Sequence, residues 1–223
     1  RRNPPLPKRI DRRATCHTDI TNAPRCYQSR NQIMPLITIT QPAIEPVSAA
    51  EVLDAFHSES TLYNAQAAII IKSLRKHAEA RIGRALITQT IELVIDRFPD
   101  ADIDLLLPNV QSITSVKYID KAGAEQTMAN NLYSLDSAST PSWLLPAYGT
   151  SWPETLDAAN SLRVRFNVGY GDSASDVPEE IRLWIIVHAT QMLGSPDGLV
   201  EQSYRPLPFV DRLLDPYIVY HAC

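Results

Sequence analysis

The stretch Thr61–Ile95, TLYNAQAAIIIKSLRKHAEARIGRALITQTIELVI, decides how this chain reads. Ala67, Ile71, Leu74, Ala78 and Ile82 recur at spacings of four, three, four and four, which lays them on one helical face. Lys72, Arg75, Lys76 and Glu79 fall on the other side and are expected to face water. Gly83 supplies the stop, because glycine enters the left-handed region without penalty. Beyond it Ile87, Gln89, Ile91, Leu93 and Ile95 alternate with Thr88, Thr90, Glu92, Val94 and Asp96, a period of two and therefore a strand. Ile69, Ile70 and Ile71 stand in a row, and at about 100° per residue they cover more arc than one buried stripe needs. Such a helix wants a second partner, either another helix of its own chain or a neighbouring subunit.

Upstream, Leu36–Thr40 is a short extended piece. Ser48, with Glu51 three residues on, forms a capping box that opens a helix over Ala49–Phe56. Downstream, the period stays at two as far as Tyr170. Strands are expected over Ile103–Leu107, Ile113–Ile119, Ala124–Met128, Asn131–Leu135 and Trp143–Leu145, with a hairpin loop at Asp120–Gly123. Leu162, Val164, Phe166, Val168 and Tyr170 alternate with Arg163, Arg165 and Asn167, so one face is apolar and the other wet. That pattern belongs to an antiparallel sheet packed on one side. Helix returns with Asp176 or Val177 at the N-cap, Pro178 near the first helical position, and Glu179 and Glu180 facing the positive end of the dipole. Ile181, Leu183, Trp184, Ile185, Ile186 and Val187 make it apolar nearly all round, so it is central or shared between subunits. Gly194–Gly198 breaks it, and an amphipathic turn or two follows over Pro208–Leu214.

The expected fold is α+β: a small bundle of about four helices with an antiparallel β region inserted between the long helix and the C-terminal helices. Residues 34–85 form the N-terminal helical part and 86–170 the insertion. Residues 171–223 are the C-terminal helices and tail, packing with 47–85 as one helical domain. Residues 1–33 carry eight Lys+Arg against two Asp+Glu and almost no large apolar side chains. They are expected to be a flexible basic tail or an artefact of where translation was taken to begin, because Met34-Pro35 looks like a natural start; a basic arm gripping nucleic acid is the other reading.

Composition narrows the classes. Of the 21 Lys+Arg and 25 Asp+Glu, 13 and 23 fall after residue 33, so the body carries −10 and repels phosphate broadly. Lys72, Arg75, Lys76, Arg81 and Arg84 are a modest basic patch, read as a solvated helix face. No run of eighteen apolar residues occurs, so neither a membrane span nor a membrane partner is expected. No apolar h-region opens the chain, and a secretory signal is not expected. Cys16, Cys26 and Cys223 are too few and too peripheral for a disulfide framework, and Cys16, His17 and Cys26 match no zinc spacing.

Motifs for chemistry fail on context. Gly169-Tyr170-Gly171-Asp172-Ser173-Ala174 imitates a dinucleotide fingerprint, yet Pro178 delays the helix and no strand follows it, so this is a turn. Ser73-Leu74-Arg75-Lys76 spells S-x-x-K without the companion motifs of that class. His188 on an apolar helix reads as a core histidine holding one hydrogen bond. Asp100, Asp102 and Asp104 lack the glycine and the glutamate of a calcium loop. No catalytic residue, cofactor site or metal site is expected. Trp143, Tyr148 and Trp152 sit in a loop that could be a ligand platform but more commonly packs on itself.

The order of short motifs carries a resemblance. A Pro-Val-Ser helix start leads into Gly83-Arg84-Ala85-Leu86-Ile87-Thr88-Gln89-Thr90, then Pro108-Asn109-Val110-Gln111-Ser112-Ile113 and Pro146-Ala147-Tyr148-Gly149. Trp152-Pro153, Phe166-Asn167-Val168-Gly169-Tyr170-Gly171 and Asp176-Val177-Pro178-Glu179 follow. From Pro46 to Tyr220 the chain resembles the head–tail connector (adaptor) family of tailed bacteriophages, in its prophage branch. The resemblance implies a structural virion protein without catalytic residues, a dodecameric ring under the portal that extends the DNA channel and docks a stopper or tail-completion protein. DNA would pass without sequence-specific binding. The expected location is the virion neck, with the host cytoplasm during assembly.

The surplus apolar residues Ile69, Ile70, Ile71, Leu183 and Ile186 are the expected subunit contacts. The resemblance puts the portal contact on Phe209, Leu213, Leu214, Tyr217 and Tyr220. The competing readings are a small cytoplasmic hydrolase or transferase with an unrecognised site, and a monomeric binding module using the Trp143–Trp152 loop.

Overall fold

In a computed structural model the described residues are 36–57, 63–100, 102–194 and 208–220. The fold is α+β. In chain order the elements are β1 (Leu36–Thr40), α1 (Ala49–Ala55), α2 (Asn64–Ile82), β2 (Gln89–Ile95), β3 (Ile103–Asp104) and β4 (Val110–Ile119). Then come β5 (Glu125–Thr127), β6 (Tyr133–Asp136), β7 (Trp143–Pro146), β8 (Leu162–Val168), α3 (Glu179–Gly194) and α4 (Pro208–Arg212). The expectations for residues 1–33 and for Gly198 lie outside the described residues.

Local chemistry sets the element ends. Ser48 caps α1: its Oγ accepts from the Glu51 N–H at 3.2 Å while Glu51 accepts from the Ser48 N–H at 2.7 Å. That backbone hydrogen bond, first among several, holds the Glu51 carboxyl below its usual range. Gly83 ends α2 at φ 68°. The start of α3 differs from expectation. Asp176 accepts from the Ser173 N–H in the preceding turn, and the Pro178 carbonyl receives the first helical N–H groups, from Ile181 and Arg182.

Two apolar clusters form. One gathers Val52 and Leu53 of α1, Ala67, Ile70, Ile71, Leu74, Ala78 and Ile82 of α2, and Ile181, Trp184, Ile185, Ala189 and Leu193 of α3. The other lies within the β region. A five-stranded antiparallel sheet runs β1-β2-β8-β4-β5, and a three-stranded antiparallel sheet runs β3-β7-β6. Ile91, Leu93, Val164, Phe166 and Val116 from the larger sheet join Ile103 and Leu144 from the smaller in one core. The opposite row is polar, as its alternation requires: Thr90 donates to Asn167 at 2.9 Å, and Glu92 pairs with Arg165 at 2.8 Å.

The turn after β8 welds sheet to helices. The Tyr170 N–H donates to the Leu86 carbonyl and the Thr88 N–H to that of Gly171. At Gly169 (φ 152°) an added Cβ would lie 2.6 Å from the Thr88 nitrogen. The first glycine of the apparent nucleotide fingerprint therefore serves close backbone approach, and the second, Gly171, leaves room for the Asp176 side chain.

Candidate interaction surfaces

One expectation about α2 is corrected. Arg75 does not face water; it is 1% exposed, with Nε donating to Glu45 at 2.7 Å and Nη1 to Glu79 at 2.8 Å. Glu79 is largely buried as well. Its Oε1 accepts from the Leu86 N–H at 3.1 Å and Gln89 Nε2 at 3.2 Å. Burial pushes its carboxyl above the usual range, against those hydrogen bonds and the neighbouring guanidinium. The physical reason is position: Arg75 is one turn from Ile71, at the border of the buried stripe, where two carboxylates carry its charge inward.

The basic patch dissolves in the same way. Arg81 Nη2 donates to the Asp211 carbonyl at 3.0 Å and its guanidinium pairs with Asp211 and Asp215. Arg84 Nε donates to the Tyr217 carbonyl at 2.7 Å. Lys72 and Lys76 share the outer face of α2 with Ile69, Ser73 and Ala80, all exposed.

The five proposed subunit contacts divide. Ile69 is 68% exposed and Leu183 48%, while Ile186 is half-buried. Ile70 and Ile71 are buried among residues of their own chain. They fill the helical core, so they offer no surface to a neighbour.

The C-terminal residues divide too. Leu214 is fully buried in the helical core, and Leu213 and Tyr217 are half-buried. The Tyr217 hydroxyl donates to Glu180 at 2.8 Å; burial first, then that carboxylate, pushes its ionisation up to about 12. The Val219 N–H donates to the Ile82 carbonyl at 2.9 Å. Held by these anchors, the segment presents Phe209 (75% exposed) and Tyr220 (80%) outward. Read as part of a solvated helix face, Arg81 and Arg84 give no sign in the sequence that they are the two cations pinning this segment. No local spacing links them to residues 130 positions away.

Chemical sites gain no support. Ser73 donates back to the Ile69 carbonyl on an exposed surface, far from the arrangement an S-x-x-K nucleophile needs. His188 is half-buried, stacked 4.2 Å from Trp184, with Nδ1 2.8 Å from the Trp184 carbonyl and Nε2 3.5 Å from Asp211. The Asp104 carboxylate accepts the Leu106 N–H at 2.7 Å, a turn contact. Among the described residues no three His, Cys, Asp or Glu are grouped to hold a metal, and no helix is long and apolar enough to cross a membrane.

The aromatic loop does not gather its rings into one platform. Trp152 stacks on Phe98 at 4.9 Å, Trp143 belongs to β7, and Tyr148 stands fully exposed. A cleft of about 420 Å³ beside Trp152 is lined by Arg97, Phe98, Lys121 and Glu154, the last two ion-paired. It has the size of a ligand site but lacks a buried, convergent set of polar groups.

Comparison with solved structures gives the fold its context. The chain is similar to one in the neck of an empty gene transfer agent (GTA) particle, computed with C6 symmetry: TM-score 0.70, 19% identity, covering 85% of this chain and 98% of that one. The same identity and coverage hold for a chain of the virion of the native particle, at TM-score 0.70, and of the native neck computed with C12 symmetry, at 0.65. No family model and no curated protein matches the sequence.

Proposed function

We propose that this chain is a structural head–tail connector (adaptor) subunit of a phage or phage-like particle, acting without catalysis. The observation that carries the reading is a likeness that spans nearly the whole of a neck chain and most of this one, in particles treated with sixfold and twelvefold symmetry. The sequence resemblance to prophage connectors, made on separate grounds, points the same way.

In this reading twelve copies form a ring in the virion neck, against the portal on one side and a stopper or tail-completion protein on the other. Ile69, Leu183 and Ile186 contribute to subunit contacts, and Phe209 and Tyr220, backed by Leu213, meet the portal. DNA passes through the ring without being read. The body's −10 charge suits a conduit, since a lumen that attracted phosphate would retard the passing duplex. Assembly takes place in the host cytoplasm.

The test is genetic and structural. Deleting the gene should leave DNA-filled heads without tails, and adding the purified protein to portal-bearing heads should place a ring on the portal vertex in electron micrographs. Normal tailed particles from the deletion strain would refute the proposal.

A further inference from the structure

Among the described residues the larger sheet has two open edges that match. β1 is its first strand, and all five of its residues are exposed, with Leu36 at 37%, Ile37 at 46% and Ile39 at 43%. At the other side β5 covers only the end of β4, pairing with Lys117 to Ile119, after the Met128 N–H donates to the Val116 carbonyl at 2.8 Å. From Gln111 to Ser115 no described strand lies beside the outer edge of β4.

The register puts these two edges at the same height. One rung runs Leu36–Leu93–Val164–Val116, another Thr38–Ile91–Phe166–Ile113, and a third Thr40–Thr90–Asn167–Ser112. The five residues of β1 thus span the stretch of β4 that β5 leaves open. Every pairing from β1 through β2 and β8 to β4 is antiparallel, so β1 and β4 run in opposite directions. A second copy's β1 laid against β4 would continue the alternation and abut the end of β5.

Neither edge carries the usual protection. Leu36–Thr40 and Val110–Val116 contain no charged residue and no proline, and the bulges in β1 and β4 face their inner neighbours, β2 and β8. Uncharged open edges are templates for another strand. The two edges are different surfaces of one chain, so their pairing is heterologous and propagates around a ring.

The geometry points to a head-to-tail β-sheet between copies of this chain: β1 of one subunit adds to the Gln111–Ser115 edge of the next. This rests on the ring reading and names a contact within it. Leu36, Ile37 and Ile39 gain cover there, and the ring acquires a belt of sheet between its subunits.

Engineered disulfides test it in the full chain with Cys16, Cys26 and Cys223 replaced by serine. On the register, Ile37 shares a rung with Glu92, Arg165 and Ser115. The double variants Ile37→Cys/Ser115→Cys and Thr40→Cys/Ser112→Cys, the latter matching the Thr40–Thr90–Asn167–Ser112 rung, oxidised in concentrated solution, should give a ladder climbing past the dimer on a non-reducing gel. The single variants should stay monomeric. Dimers from Ile37→Cys alone would mean β1 pairs with β1 and would overturn the inference, as would monomers throughout. Imaging the same samples separates the two ideas: rings without a ladder refute the strand pairing and spare the ring, whereas neither refutes both. In addition, Ile37→Lys should cut the assembled fraction at least tenfold while leaving the unfolding midpoint in place; undiminished assembly would count against the pairing.

Discussion

Arg75 on α2 and Glu45, thirty residues earlier, form a 2.7 Å ion pair in which the arginine side chain is 1% exposed and the glutamate 29%. Glu79 takes the other side of the guanidinium and passes the connection to the Leu86 N–H and Gln89. One buried cation therefore ties the segment before α1, the long helix and the entry to β2. Replacing it with alanine removes the cation from the buried Glu79 carboxylate and leaves it only the Leu86 N–H and Gln89. Arg75→Ala should cost about 3–5 kcal/mol of stability. Glu45→Ala should cost clearly less, because Arg75 keeps Glu79. Urea unfolding of both variants checks the order, and equal losses would contradict it.

The same cluster sets a pH dependence. Burial raises the Glu79 carboxyl above its ordinary 4.5, so the folded chain binds a proton there more tightly than the unfolded chain. Its stabilising contribution is fully present below pH 4.5 and is lost as pH rises through the higher folded value. Glu79→Gln should flatten the unfolding free energy across that window, from pH 4.5 upward. An unchanged slope in the variant would exclude Glu79 as its source.

Gly169 sets the distance between β8 and the Ile87–Thr88 strand entry. A methyl group there meets backbone at 2.6 Å, which no rotamer change relieves, and φ is 152°. Gly169→Ala should destabilise by about 3 kcal/mol. Gly123→Ala, at a hairpin tip with nothing within 4 Å of the added methyl, should lose much less. Thermal unfolding of the pair decides it.

The C-terminal segment is anchored by Leu214 and displayed by Phe209. Leu214→Ala should cost about 2–5 kcal/mol and speed proteolysis around α4. Phe209→Ala should change stability by less than about 0.5 kcal/mol. If the proposed portal contact is right, Phe209→Ala nonetheless weakens binding to portal-bearing heads in a pull-down, with wild-type binding the contrary outcome.

Ile69 and Leu183 put aliphatic side chains in water on α2 and α3. Ile69→Asp and Leu183→Asp should fold normally, within about 0.5 kcal/mol of wild type, because neither position is buried. The proposed role as subunit contacts requires both to reduce ring formation in sizing experiments. Intact rings from the double variant would remove these residues from the interface.

What the sequence determined by itself was local and periodic. The 3.6 period of Ala67 to Ile82, the left-handed stop at Gly83, the Ser48–Glu51 box and the alternation from Leu162 to Val168 each depend on neighbours within a few positions, and each appears in the fold. Periodicity also detected that Ile69–Ile71 exceed one stripe, but not which of them the chain keeps for itself. Only the tertiary structure decided that. It brought α1 and α3 against Ile70 and Ile71 and left Ile69 outside. It placed Arg75 between two carboxylates and Arg81 and Arg84 against the C-terminal segment, and it set the open edges of β1 and β4 at one height. The reason is that burial, ion pairing and register depend on distances across the fold. A sequence pattern carries angle around a helix and parity along a strand, and holds no record of what lies opposite.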